Sequence, residues 1–259
     1  MAIVHRLFVL LAACFLAAPT FVVLVTSFGR NATLEFPPSS WSLVWYGRAL
    51  ARTEFQSAAF NSFWIAVVTT LMATPIALAA ALAIVCGKFP GRQAVQVFLL
   101  SPLVVPSIVI GLAILILAAA LEVRVVEERL VAAHVLITFP YLVRTIIASL
   151  SRIDPLAEEA ARTLGANALI AFWHVTLPAL SPGLVAGMLF AFIVSFDNVS
   201  ISLFLASART TTLPLSILSY VETNLDPSVA AISTLLVTFS LVSALLLERM
   251  VGLRKALGS

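Results

Sequence analysis

The chain has 259 residues, of which 61% are apolar and only 10% charged, with a net charge of +3. A water-soluble domain carries roughly 25% charged residues, so this composition cannot cover a water-facing surface and points to lipid as the solvent. The small positive balance holds no basic cluster suited to nucleic acid. Cys14 and Cys86 stand singly in apolar runs, which excludes a disulfide framework or a cysteine metal site.

Apolar stretches recur at about 7–28, 58–86, 94–119, 130–149, 183–206 and 229–247. Each is long enough for a helix to cross roughly 30 Å of hydrocarbon. The first follows Arg6 and continues past Pro19 into more apolar chain, so it is read as a retained spanning segment, not a signal peptide. Between the first two stretches, the loop 29–57 carries the turn residues Pro37-Pro38-Ser39-Ser40, then Trp41, Trp45 and Tyr46, aromatics suited to a membrane–water interface. Pro75, Pro102, Pro106 and Pro140 fall inside spans. Each removes a backbone donor and marks a bend, for packing or for a hinge. The expectation is an all-α membrane protein with six transmembrane helices, residues 1–259 forming a single transmembrane domain.

Six spans place both termini on one side. With that side inside, the inner segments hold Arg6, Lys88, Arg92, Arg144, Arg152, Arg162, Arg249, Arg254 and Lys255. The outer segments hold Arg30, Arg48, Arg52, Arg124, Arg129 and Arg209. The positive-inside rule then favours inner N- and C-termini. Arg144, near the inner end of the fourth span, reads as a snorkelling side chain.

The loop 151–181 is charged and helix-forming, unlike its surroundings. Asp154 is a good N-cap, Pro155 a good first helical residue and Gly165 a good stop. Glu158 and Glu159 lie near the positive end of the dipole, Arg162 near the negative end, and Glu158 and Arg162 form an i,i+4 pair. These signals predict a short helix over about 155–164. Asn167 is placed to cap a second short helix ending before Leu177-Pro178, and Ser181-Pro182 to open the fifth span.

The spacing Glu159-Ala160-Ala161, Gly165, Val175-x-Leu177-Pro178 resembles the EAA coupling loop of ABC-importer permeases, six of these seven positions matching in register over twenty residues. Val175 stands where that pattern usually has isoleucine. Asn61-Ser62, Pro102 through Pro106, Ser195 through Ser200, Leu213-Pro214, Leu225-Asp226-Pro227 and Ala230 look like the spermidine/putrescine-type branch. The resemblance implies type I ABC-importer architecture in a bacterial inner membrane, with cytoplasmic termini. It implies a second homologous permease subunit, two ABC ATPase subunits, an extracytoplasmic substrate-binding protein and membrane lipid as partners, and no cofactor or nucleic acid. Carried over residue by residue, Glu158, Glu159, Ala160, Ala161, Gly165, Leu177 and Pro178 would couple to the ATPase, and the cargo would be a polyamine or similar cation. Phosphonate, sulfate and iron importers of the same architecture are the alternative, ahead of a stand-alone channel or secondary carrier.

Asp197 is the acid well inside a predicted span. Counting from Gly183, it falls past mid-membrane towards the outside at 1.5 Å per residue. A helix through 183–202 would put Gly183, Gly187, Ala191, Ser195, Asn198 and Ser202 on one small-residue face. Asp197 lies beyond one edge of that face and Ser200 further round. An intramembrane carboxylate faces protein or a watery path, so Asp197 with Ser200 is either path-lining or a polar tether. Glu222 and Asp226 read as solvated or touching a binding protein, and His5, His134 and His174 as structural. No metalloprotease, hydrolase or P-loop motif is present; Gly87-Lys88 is followed by Phe89, so the chain is not expected to be an enzyme.

Overall fold

The computed structural model describes residues 2–224 and 226–251; Leu225, Arg254 and Lys255 of the sequence reading lie outside the described residues. In chain order the helices are α1 (Ala2–Thr26), α2 (Val44–Ala51), α3 (Thr53–Cys86), α4 (Arg92–Leu100), α5 (Ser107–Ala120) and α6 (Val126–Leu150). Then come α7 (Pro155–Thr163), α8 (Ala168–Ala171), α9 (Leu177–Phe196), α10 (Ser202–Leu205), α11 (Leu213–Thr223) and α12 (Ser228–Val251). The described residues contain no β-strand, only an isolated bridge between Gly29 and Trp41. Hydrocarbon offers no partner to a free N–H or C=O, so a chain this apolar satisfies its backbone internally.

Among the described residues, five helical stretches are long and apolar enough to cross a membrane, and a sixth span is available if a bent pair counts as one. The bent pair is the stretch expected at 94–119. It runs Arg92–Leu103, breaks, and resumes as Ser107–Ala120 at 96°. Pro106 has extended ψ and caps α5, because the residue before a helix can be proline while one inside cannot donate. The fifth stretch also differs from expectation. Its helix begins before Ser181-Pro182 and stops at Phe196, with Asp197 as its C-cap. Asn198 and Ser202 are therefore off the face assigned to them. Asn198 instead turns the chain, its Oδ1 accepting from Ile201 N at 2.9 Å.

The chain divides into two compact units, one made of residues up to Ala59 with Leu213–Leu241, the other of Phe60–Thr212 with the chain from Val242 onward. In the first, the loop after α1 is organised by its own aromatics. Trp45 is buried, donates its indole N–H to Asn31 O at 3.1 Å, and carries the Arg48 guanidinium 4.4 Å from its ring centre. Of the aromatics expected at the interface, Trp41 is exposed and Trp45 is core. Asp226, expected to be solvated or touching a binding protein, is half-buried and held by bonds within the chain. It accepts from Tyr220 Oη at 2.6 Å and from Ser228 N at 2.8 Å, with Arg52 Nη2 at 3.8 Å. Burial pushes its carboxyl upward, but the hydrogen bonds and the Arg52 charge outweigh that and hold it below the ordinary value.

The second unit is built on α6 and α9. Gly183 backs onto Ser149 so closely that a Cβ would collide with that side chain, and Gly187 faces Leu142 and Thr145. Further along, His134 Nδ1 and Ser195 Oγ meet at 2.7 Å, both buried. The small residues let two backbones approach, as helix pairs in lipid require. Leu142, Val143, Ile146, Leu150 and Leu180 fill the core beside this seam together with Ala73, Ala77 and Ala81 of α3.

The seam makes a graded prediction. Gly183→Val should cost about 1–3 kcal/mol of stability through overpacking, read as earlier thermal aggregation of the detergent-solubilised protein. Gly187→Ala, whose Cβ would sit at 3.4 Å from its neighbours, should leave the melting temperature unchanged or higher. Equal behaviour of the two would mean the seam is not close-packed.

Candidate functional site: the loop between α6 and α9

The α6–α9 connection is a short helix fixed at both ends by its own sequence. Asp154 leaves the helical region at the start of α7, and its carboxylate accepts from Leu156 N at 2.9 Å. At the other end Gly165 takes φ +98°, its N–H donating to Arg162 O and the Ala166 N–H to Ala161 O, both at 3.1 Å. That pair of bonds is a complete Schellman stop, which an L-residue with a side chain adopts only under strain. Asn167 then caps the next helix by accepting from Ile170 N at 2.8 Å.

From Ala168 the helix does not end before Leu177-Pro178 as expected. It passes through one π turn, Phe172–Thr176, closed by Leu177 N donating to Phe172 O, and continues unbroken to Phe196. The two prolines do not stop it because their lost bonds are replaced or absent. Pro178 sits in the first turn of α9, and Ser181 Oγ donates to Pro178 O at 2.8 Å, the carbonyl that Pro182 cannot serve. Leu177 and Pro178 are thus positions inside a helix, half-buried and exposed respectively.

The π turn brings Thr176 under α7. Its hydroxyl donates to Glu158 Oε2 at 2.9 Å, so Glu158 ties α7 to the foot of α9, while Glu159 and Ala160 are exposed and Ala161 is half-buried. Thr176 was not singled out from sequence, and a lone buried threonine gives no signal there. Behind α7 lies a cleft of about 600 Å³ lined by Lys88, Asp154, Glu158, Glu159, Arg162 and Thr176 among others. Along the loop, Leu156, Leu164, Leu169, Ile170 and Trp173 are exposed, Leu164 at 90%. Apolar residues in a polar loop were the signal that sequence reading passed over.

Asp197 and Ser200 lie apart from this site in sequence, in the turn between α9 and α10, Asp197 exposed and Ser200 half-buried. Among the described residues no group of three or more His, Cys, Asp or Glu is placed to hold a metal.

The described chain is thus a membrane subunit of apolar helices in which a short, double-capped helix joins two long ones, α6 and α9. Residues 73–252 match the family described as the binding-protein-dependent transport system inner membrane component, and the chain belongs to that family. It is 32% identical over 234 residues to the putrescine transport system permease protein PotI of Escherichia coli (strain K12), covering 88% of this chain and 83% of that one. To the spermidine/putrescine transport system permease protein PotC of Haemophilus influenzae it is 30% identical over 240 residues, 92% and 93% of the two chains. A solved bacterial ABC transporter that imports the acidic polysaccharide alginate shares the fold, with TM-score 0.71 over 96% of this chain and 18% identity.

The geometry of the stop gives a direct test. Gly165→Val should cost about 1–3 kcal/mol at a φ that β-branched residues avoid and should fray α7, raising trypsin cleavage after the exposed Arg162. Thr176→Val should act in the same direction and more weakly. Cleavage of Gly165→Val at the wild-type rate would mean the glycine does not set the end of α7.

Proposed function

We propose that the chain is one permease half of a type I ABC importer whose cargo is a polyamine, and that α7 is where ATP-driven motion enters it. The observation that carries the coupling role is the knob itself. Its shape is fixed by Asp154, Gly165 and Asn167, it is tied to α9 through Glu158 and Thr176, and it presents Glu159 beside exposed leucines. Such a surface needs a partner outside the bilayer, and an ATPase subunit answers to it. Because the helix from Ala168 to Phe196 is continuous, a push on the knob becomes a tilt of α9 and of α6 seated on it. Energy must come from such a partner, since the chain has no phosphate-binding loop of its own. By the same resemblance a second permease completes the path and an extracytoplasmic binding protein delivers the cargo.

The polyamine reading rests on the names of the permeases that match most of the chain. It is favoured chemically by Asp197, an exposed carboxylate at the end of α9, with Ser200 in the same turn, suited to a cation in transit. A molybdenum permease of Haemophilus influenzae also matches, at 30% identity over 74% of this chain, which makes an oxyanion the competing cargo. The importer reconstituted with its partners should take up putrescine, and Asp197→Asn should slow uptake at least severalfold while leaving co-purification with the ATPase intact. Glu159→Lys should abolish uptake without loss of membrane insertion. Uptake of molybdate in place of putrescine would overturn the cargo assignment and leave the coupling role standing.

Cytoplasmic termini follow from the distribution of Arg and Lys and from an ATPase-facing knob. On a cysteine-free background, a single cysteine at position 40 should react with an impermeant reagent added to intact cells, and one at position 167 should not. The reverse pattern would invert the topology.

A further inference from the structure

Asp226 and Tyr220 form a rigid pair, and Arg52 is a loose third member. The Tyr220 hydroxyl donates to Asp226 at 2.6 Å and Ser228 N at 2.8 Å, so the carboxylate is aimed from two sides. The ring is held from behind by Phe55, edge to face at 5.3 Å between centroids. The Arg52 guanidinium lies 4.6 Å from the centre of the Tyr220 ring, and its nearest nitrogen stands 3.8 Å from Asp226, beyond hydrogen-bond distance. The Arg52 side chain is 40% exposed, that of Asp226 26%. The tight bonds belong to the host, then, and the weak ones to the cation that sits in it.

An aromatic face beside a fixed carboxylate is the arrangement that binds organic ammonium ions. A second carboxylate extends it: Glu54 Oε1 accepts from Ser216 Oγ at 3.4 Å, and Ser216 is one helical turn before Tyr220 on α11. One turn is about 5.4 Å of rise along α11, and residues four apart share a helix face, so the Glu54 contact and the Tyr220 ring lie on the same side of α11. We infer that Tyr220, Asp226 and Glu54 form a receiving site for an alkyl ammonium cargo, occupied at rest by the chain's own Arg52, which the cargo displaces. The site takes nothing that lacks a positive charge, and an anion meets two carboxylates. In the proposed topology it lies on the outer side, at the junction of α2 and α3, where cargo leaving a binding protein first meets the permease. Arg52 then serves as a placeholder that keeps small inorganic cations from resting on the carboxylate, since sodium gains little from a ring face against the loss of its water.

This inference rests on the polyamine reading, and one experiment separates their failures. Radiolabelled putrescine is equilibrated with the full permease–ATPase complex in nanodiscs without binding protein, with sodium chloride matched for ionic strength. Arg52→Gln empties the site and should bind putrescine about tenfold tighter than wild type, the sum of one exposed ion pair and one cation–π contact no longer to be broken. Asp226→Asn should bind at least tenfold more weakly than Arg52→Gln, and the double variant should behave as Asp226→Asn alone. Tyr220→Phe keeps the ring while freeing the carboxylate, and should fall between them even if Asp226→Asn assembles poorly. If the cluster only fastens α11 to the α2–α3 junction, Arg52→Gln and Asp226→Asn lower thermal stability together and neither tightens binding, and the receiving site is overturned. Wild-type importer that transports putrescine while Arg52→Gln binds no tighter overturns this site alone. Wild-type importer that neither binds nor transports putrescine overturns both readings.

Discussion

The seam between α6 and α9 is the constraint on which the rest of the second unit depends. In lipid there is no hydrophobic gain from bringing two apolar helices together, so what holds them is closeness of fit and the few polar bonds that closeness allows. Gly183 and Gly187 supply the fit against Ser149, Thr145 and Leu142, and the His134–Ser195 bond supplies the polar tie further along. The proposed coupling loop and Asp197 both hang from the ends of this pair. The knob is the connection between the two helices at one end, and Asp197 caps α9 at the other. A change in the tilt of one helix is therefore felt at both places.

Local signals in the sequence located what local chemistry decides. The caps of α7 were legible because an N-cap aspartate, a first-turn proline and a stop glycine each act on the nearest few backbone groups. The same reasoning failed at the start of α9. Leu177-Pro178 and Ser181-Pro182 look like interruptions, and they would be if their orphaned carbonyls had no other donor. The Ser181 hydroxyl and a single wide turn absorb the defect, and neither is visible without the neighbouring backbone. The end of α9 was missed for a different reason. Small residues kept their spacing through Asn198 and Ser202, but Asn198 has a stronger use as a turn-forming acceptor.

The charge partner of Asp226 was not legible because it is remote, although Tyr220 and Ser228, which bond the carboxylate, stand close by in sequence. Arg52 is more than half the chain away in sequence, and a charge in a polar loop gives no hint of such a partner. The residues that liken this chain to one branch of its family do share a pattern once placed in space. Asn61 donates to Thr211 O at 3.1 Å, Pro106 opens α5 at the sharp bend, Ser195 meets His134, and Asp226 meets Tyr220. They sit where helices bend, end or cross, not along lipid-facing stripes. That is where substitution costs most, because a lipid-facing apolar residue can exchange for another of its kind and a hinge or tie cannot.

The π turn at Phe172–Thr176 has a consequence for the angle at which the knob leaves the membrane. A helix advances about 100° per residue, so one additional residue in a turn rotates everything before it around the axis of α9 by roughly that amount while barely changing its height. The bearing of α7 around the bundle is thus written in a residue count, independently of the bonds that hold it there. Two permeases with the same knob and the same seam, differing by one residue in this turn, would offer their knobs to differently placed sockets. On the coupling role proposed for α7, pairing with an ATPase subunit would then diverge by a single insertion without any change in the surfaces that touch.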